Sequence, residues 1–152
     1  MTTEDNKMTT EDNKRIVRHF YDEVMSQGHV DVLDEVMDEN FSDHGEALFD
    51  SPQGRETLRQ GIAATHEILP DLNVHLEDIV AEGDLVGIRG TMRCSHRGTF
   101  LGVPATGHEL SWKGIAMFRV ANGKIVERWF NSDSVTLVRQ LGLAPARAQP
   151  GG

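Results

Sequence analysis

The 152-residue chain carries 24 acidic and 15 basic side chains, which gives a formal net charge of −9 at pH 7. Nucleic-acid affinity depends on clustered Lys and Arg, so this charge argues against a protein that binds nucleic acid. No apolar run reaches the roughly 18 residues that span a bilayer, and no apolar signal core is present near the N-terminus. We therefore expect a cytoplasmic protein of one domain that makes no membrane contact.

The two ends of the chain are expected to lie outside this domain. Residues 1–7, MTTEDNK, are repeated without change as residues 8–14. A polar heptad that occurs only twice cannot build a repeat fold, and we expect residues 1–10 to be mobile. The tail at 144–152 has nothing apolar enough to bury and is expected to be disordered. This leaves 11–143 as the folded domain.

Apolar residues at three- and four-residue spacing predict helices in the first half of the chain. The first helix begins near Thr10 and stops at Gly28, and a shorter one follows at 32–37. The polar run DENFSDHGE at 38–46 is predicted to be a loop with a short extended piece at Phe41. A third helix runs from Pro52 and is ended by Pro70.

Beyond this point the apolar period changes to two, which predicts strands. The pair Asn122-Gly123 predicts a tight hairpin turn, and a short final helix is capped by Ser132 or Asp133. Four strands are predicted, at 72–77, 85–96, 110–120 and 125–130.

Helices followed by a meander of long strands indicate an α+β fold with a curved antiparallel sheet around the helices. Gly87, Gly90 and Gly114 within the strands fit the bends or bulges that such curvature requires. A sheet curved in this way encloses a pocket that opens at one end.

Five short stretches occur along the chain in this order: LPDL at 69–72, EGDLV at 82–86, SHRGTFLGVPATGHEL at 95–110, FRVANGKIVERWFNSD at 118–133 and VTLVRQLG at 135–142. As an ordered set they resemble the SnoaL-like polyketide cyclases (ester cyclases) of the nuclear-transport-factor-2-like superfamily. The resemblance implies a cone-shaped α+β domain that is a homodimer and closes a ring in a polyketide-like small molecule without cofactor or metal, in antibiotic or other secondary-metabolite biosynthesis.

The chain departs from this family at its proton-transfer residues. In the aldol cyclases that it resembles, an aspartate near the end of the last strand acts as general acid/base, with a histidine on the neighbouring strand. These two positions correspond to Phe130 and Ala116 here, and both residues are apolar. The usual acid/base pair is therefore replaced, which favours ring closure templated by the shape of the pocket.

Three residues remain as candidate catalytic groups. Asp133 is either a helix cap or an acid/base. His44 lies either in the pocket or on the surface, and its ordinary pKa suits proton transfer. Arg128 could hold a carbonyl or carboxylate or pair with Asp133 or Glu127, or it could be a surface residue.

Strand parity extends the candidate site. If Ala116 faces the pocket, then Trp112, Gly114 and Phe118 face it too, as do Val126, Arg128 and Phe130 on the next strand, while Trp129 points outward to a dimer interface. His66 and His96 have structural alternatives, as a core histidine and as a residue that fixes the connection between strands. The predicted substrate-binding residues are Tyr21, His66, His96, Trp112, Ala116, Phe118 and Phe130.

Two other functions stay open beside the cyclase. A pocket without proton-transfer groups could serve a non-catalytic small-molecule binder or a partner subunit. An isomerase or epoxide hydrolase of the same fold is the third possibility, and the hydrolase requires an Asp-Arg-Asp network. Cys94, the single cysteine, is expected to be a buried inert thiol.

Overall fold

The computed structural model describes residues 8–45 and 54–143 of the chain. A π-helical turn at Phe20–Met25 continues the first helix, and a 3-10 turn at Val30–Val32 leads into the second. The elements are α1 Thr10–His19, α2 Leu33–Val36, β1 Met37–His44, α3 Arg55–Ile68, β2 Asn73–Glu82, β3 Leu85–Ser95, β4 Glu109–Ala121, β5 Lys124–Ser132 and α4 Ser134–Gln140.

One five-stranded sheet in the order β1-β5-β4-β3-β2 organises these elements. Strands β2 to β5 form an antiparallel meander, whereas β1 pairs with β5 in parallel. Helix α1 packs on β2, β3 and β5, and α3 packs on β1. The predicted α+β class with a curved sheet around the helices is therefore confirmed.

Strand β1 corrects the prediction for residues 38–46, which were expected to be mainly loop. Its outward positions are polar, and only Met37, Phe41 and Asp43 are fully buried along its length. An edge strand with a polar outer face lacks the strict apolar alternation that identifies a strand in a sequence. The sheet thus has one strand more than the four that were predicted.

The start of α1 agrees with the helix predicted from near Thr10. The side chain of Thr9 accepts a hydrogen bond from the backbone of Asp12, and the Asp12 carboxylate accepts one from the backbone of Thr9. This capping box begins the helix inside the range 1–10 that was expected to be mobile. Residues 1–7, Pro52 and the tail at 144–152 lie outside the described residues.

The predicted turns and helix ends agree closely with the structure. Asn122 and Gly123 have φ angles of 52° and 78°, as a tight β-hairpin turn requires. Asp133 is the N-cap of α4, and α3 ends at Ile68, before Pro70. No helix within 8–45 and 54–143 is long and apolar enough to cross a membrane.

Register shifts and glycines shape the concave side of the sheet. The β4–β5 register pairs Arg119 with Glu127 and Val120 with Ile125, which leaves Val126 as the extra residue of a bulge. Gly90 and Gly114 lie opposite each other on β3 and β4. A Cβ atom on Gly114 would lie 2.9 Å from the Phe130 ring, so glycine there leaves room for that ring.

An aromatic cluster joins the helical layer to the sheet. Phe20 and Tyr21 from the π-helical turn pack edge-on against Phe118 of β4, with ring centroids 5.8 Å and 5.7 Å from it. Phe20 and Phe118 are fully buried, and Tyr21 is 3% exposed. Edge-to-face aromatic packing adds to the stability that burial supplies, so this cluster fixes where α1 crosses the sheet.

Replacing Phe118 with Ala is expected to lower the free energy of unfolding by about 3–5 kcal/mol, because a large cavity opens in the cluster. The change is measured by urea denaturation. The matched control is Val80→Ala on the outer face of β2, where the side chain is 65% exposed. That control should cost less than about 1 kcal/mol. Equal losses in both variants would contradict the central role of the cluster.

Candidate functional site

A cavity of about 710 Å³ lies between α3, the π-helical turn and the concave face of the sheet. This volume is within the range of about 300–1,000 Å³ that holds organic small molecules. The residues that line it are Tyr21, Met25, Gly45, Leu58, Gly61, Ile62, Ala64, Thr65, Ile68, Leu69, Leu72, Val74, Ile88, Gly90, Met92, Phe100, Leu101, Trp112, Gly114, Arg128 and Phe130.

The described walls of this cavity are almost entirely apolar. They include no Asp, Glu or His side chain, and the polar side chains among them belong to Tyr21, Thr65, Trp112 and Arg128. The Thr65 hydroxyl already donates to the carbonyl oxygen of Gly61 at 2.8 Å. The cavity is therefore suited to an apolar guest that presents few polar atoms.

Arg128 forms a buried ion pair with Asp43. Its Nε and Nη2 atoms donate to the two carboxylate oxygens of Asp43 at 3.1 Å and 2.6 Å. The Asp43 side chain is fully buried, and that of Arg128 is 9% exposed. The guanidinium also lies 5.4 Å from the centroid of the Phe130 ring, so a planar cation is held rigidly at the cavity wall.

Tyr21 belongs to the same polar end of the cavity. Burial raises the pKa of its phenol well above the ordinary value; Arg128 opposes this shift and Asp43 adds to it. These electrostatic effects place Tyr21 close to the ion pair. Its hydroxyl therefore stays protonated at neutral pH and keeps its capacity to donate a hydrogen bond.

The parity of β1 explains why Asp43, and not His44, reaches this site. In the parallel register Asp43 is beside Arg128 on the concave face, and His44 is beside Trp129 on the convex face. His44 stacks on Trp129 with ring centroids 5.2 Å apart and contacts Glu127 at 2.8 Å. His44 is thus a surface residue, which corrects its candidacy as a catalytic group in the pocket.

Asp133 is a helix cap and does not line the cavity. Its carboxylate accepts hydrogen bonds from the backbone N–H of Thr136 at 3.1 Å and from the Thr136 hydroxyl at 2.6 Å. The hydroxyl and the backbone of Thr136 lower the pKa of this carboxyl, with a smaller contribution from Arg139. Of the two roles considered for Asp133, the structure shows the helix cap, and Arg128 pairs with Asp43 rather than with Asp133 or Glu127.

The two other histidines in the predicted binding set are structural. His66 donates from Nε2 to the carbonyl oxygen of Met25 at 2.8 Å, and its ring packs against Gly28. His96 is completely buried and pairs with Val103 and Thr106 in the connection between β3 and β4. Neither histidine lines the cavity. Each ring instead forms hydrogen bonds with backbone or hydroxyl groups that would otherwise be unpaired.

The remaining predicted binding residues divide into two groups. Tyr21, Trp112 and Phe130 line the cavity, as expected. Ala116 and Phe118 face the same side of the sheet but are covered by the core, so they do not reach the cavity surface. Ala116 lies directly opposite Phe130 in the β4–β5 register, and both residues are apolar.

The convex face of the sheet carries exposed apolar side chains. Val80, Ile115 and Met117 are 65%, 63% and 42% exposed, and Trp129 lies beside them. Exposed apolar surface of this kind is common where proteins associate. The predicted homodimer interface through the outward face stays a prediction.

The sequence interpretation missed two parts of the site. Asp43 lies in the polar run that was expected to be a loop, and the α3 face that lines the cavity was treated as ordinary core. Phe41 is the one large apolar side chain in this run, so the alternation that identifies β1 appears in the burial of its side chains and not in the sequence. Within the described residues, no three His, Cys, Asp or Glu side chains come together as metal ligands. Burial raises the pKa of the Cys94 thiol to about 11.

A curved sheet that closes over helices around an apolar cavity is the arrangement of the nuclear-transport-factor-2-like fold. The sequence matches the SnoaL-like polyketide cyclase family over residues 15–141. The chain therefore belongs to the SnoaL-like polyketide cyclase family. No curated protein matches the sequence significantly.

Solved structures agree with this assignment. TsrD from Streptomyces laurentii is 27% identical with a TM-score of 0.79, and the match covers 90% of this chain and 99% of TsrD. IdmH from Streptomyces antibioticus, described as a candidate polyketide cyclase, is 32% identical with a TM-score of 0.74 and coverage of 86% and 98%. AclR from Streptomyces galilaeus, described as a candidate hydroxylase, is 23% identical with a TM-score of 0.79 and coverage of 90% and 100%, which shows the fold alone.

Replacing Asp133 with Asn should leave the thermal midpoint nearly unchanged, since Asn caps helices as well as Asp does, whereas Asp133→Ala should lower it. The folded-state pKa of Asp133 is depressed, so its stabilisation is present above the unfolded pKa of about 4 and is lost as the pH falls through the folded value. The difference in thermal midpoint between wild type and Asp133→Ala should therefore become smaller as the pH is lowered from 7 to about 2. An Asp133→Asn variant whose thermal midpoint falls as far as that of Asp133→Ala would contradict the capping role.

Proposed function

We propose that this protein is a cofactor-independent cyclase that closes a ring within a polyketide-like intermediate. The observation that supports the proposal most directly is the apolar cavity with a rigid hydrogen-bond donor, Arg128, at one end. Membership of the SnoaL-like family and the likeness to IdmH support the reaction class. The substrate is a flexible small molecule that carries at least one carbonyl group.

The cavity promotes closure by holding the chain folded. Intramolecular bond formation needs the two reacting carbons about 3–3.5 Å apart, and a shaped apolar container restricts the substrate to such conformers. Leu58, Ile62, Leu72 and Met92 supply walls that exclude water on opposite sides of the guest. The substrate therefore loses its conformational entropy at the binding step, and the barrier to ring closure is lowered by that amount.

Arg128 contributes by hydrogen bonding to a substrate carbonyl. Where closure increases the negative charge on that oxygen, a donor fixed in advance by Asp43 stabilises the transition state more than the ground state. Tyr21 lines the same cavity with its proton retained, and in this proposal it donates a second hydrogen bond to the substrate. A templated closure of this kind requires no side chain to take up a proton.

An aldol closure with a protein base receives less support. It requires one group to form the enolate and another to protonate the new alkoxide. The family positions for this pair are Phe130 and Ala116, and the described cavity walls carry no Asp, Glu or His. We therefore place the chain among shape-templated cyclases.

A non-catalytic binding protein is the second candidate function. The same apolar residues at positions 116 and 130 favour it, because a cavity without proton-transfer groups is also sufficient for binding alone. Epoxide hydrolysis is less compatible with the site, since the described residues supply one carboxylate on Arg128 where an Asp-Arg-Asp network requires two. Turnover separates the cyclase from the binder.

Purified protein should accelerate ring closure of linear poly-β-ketones, whose own enol supplies the nucleophile and passes its proton to the new alkoxide, at least tenfold over buffer. Chromatography with mass detection follows the loss of the linear compound and the appearance of its cyclic isomer or dehydrated product. Wild-type protein unfolded by heat is the control for surface and buffer effects. Binding seen as a thermal shift without any acceleration would assign the chain to the second candidate function.

Filling the cavity from α3 should slow closure without unfolding the protein. Gly61 lines the cavity, and a Cβ atom there meets nothing within 4 Å. Gly61→Phe should reduce the closure rate at least tenfold because the ring occupies substrate space, whereas Gly61→Ala, the matched control, should stay within about twofold and gain helix stability. An unchanged rate in the folded Phe variant would place the reaction outside this cavity.

A further inference from the structure

Among the described residues, the polar end of the cavity carries no net charge. Arg128 contributes one positive charge and Asp43 one negative charge, and two hydrogen bonds join them directly. No other Asp, Glu, Lys, Arg or His lines the cavity among the described residues. A ligand therefore meets donor groups there but no uncompensated cation.

Arg128 still has donor capacity while it is paired. A guanidinium carries five N–H donors, and the bonds to Asp43 use Nε and Nη2. Within the described residues, Nη1 donates no hydrogen bond. Because Arg128 lines the cavity, a ligand oxygen can accept from this group without displacing Asp43.

Neutral and anionic ligands differ sharply at such a site. A carboxylate would lose its hydration on entering an apolar cavity and would bring a second negative charge close to Asp43. A ketone or ester carbonyl loses much less hydration and accepts the same hydrogen bond. The ion pair thus orients a ligand oxygen through a hydrogen bond from Arg128, but it does not attract anions.

We propose that Asp43 is a specificity-determining residue, which neutralises Arg128 so that the cavity selects neutral carbonyl compounds over carboxylates of the same shape. This inference rests on the proposed function, in which the cavity binds a polyketide-like substrate. It restricts that substrate to neutral compounds such as ketones and esters. Asp43 acts through Arg128 and is a positioning residue as well.

The test compares two probes of equal shape, 2-acetyl-6-methoxynaphthalene and 6-methoxy-2-naphthoate, by isothermal titration calorimetry at pH 7. Wild type should bind the ketone at least tenfold more tightly than the carboxylate. Asp43→Asn leaves Arg128 uncompensated and should shift this ratio at least tenfold towards the carboxylate. Asp78→Asn makes the same charge change on the exposed side chain that pairs with Arg89, outside the cavity, and should leave the ratio unchanged.

A double variant keeps the test decisive if Asp43→Asn alone does not fold. Asp43→Asn with Arg128→Gln replaces the ion pair by two neutral amides of similar shape, which removes the unpaired buried charge. Its ketone-to-carboxylate ratio should match that of wild type within about threefold, because both polar ends are neutral. If the preference of the double variant for the ketone rose at least tenfold above that of wild type, Arg128 would attract the carboxylate as a free cation in wild type and the proposal would be overturned.

The remaining outcomes separate this proposal from the proposed function. Equal or tighter binding of the carboxylate by wild type, or no binding of either probe, overturns the charge selectivity even where poly-β-ketones are cyclised. Selectivity for the ketone together with a closure rate equal to buffer supports the role of Asp43 and overturns the cyclase.

Discussion

The buried contact between Asp43 and Arg128 joins the first strand of the sheet to the last. A charged side chain at this depth is tolerated only when a partner of opposite charge satisfies its hydrogen bonds, so the two residues constrain each other. The parallel β1–β5 register that places them side by side also sets which face of β1 is turned inward. The polar end of the cavity is therefore a product of strand pairing across 85 residues of sequence.

Curvature supplies the other half of the site. The bulge on β5 at Val126 and the facing pair of Gly90 and Gly114 allow the sheet to bend around α3 and to leave space above its concave face. A flat sheet would bring these strands against the helices and fill the chamber with core side chains. Phe130 can project into the chamber because the position opposite its ring, Gly114, carries no side chain.

The candidate site combines apolar walls with one strongly polar feature. Phe130 lines the cavity, and Ala116, directly opposite it on β4, is buried in the core. The guanidinium beside Phe130 is the main polar feature of the described walls. Walls of this kind are compatible with a guest that is held by its shape and by one hydrogen-bonded oxygen.

The sequence by itself determined the α+β class, the four meander strands and the Asn122-Gly123 turn, because apolar periodicity and turn chemistry are local. It leaves Arg128 open between the pocket and the surface. Only the tertiary structure decided that Asp43 is the partner of Arg128, that His44 lies outside and that Asp133 does not line the cavity. The first two outcomes depend on the register of β1 against β5, which is distant in the sequence. The third depends on the end of β5, where Asp133 accepts a hydrogen bond from Thr136. A shift of one residue exchanges the two faces of a strand, and nothing within the polar run from Asp38 to Glu46 sets that register.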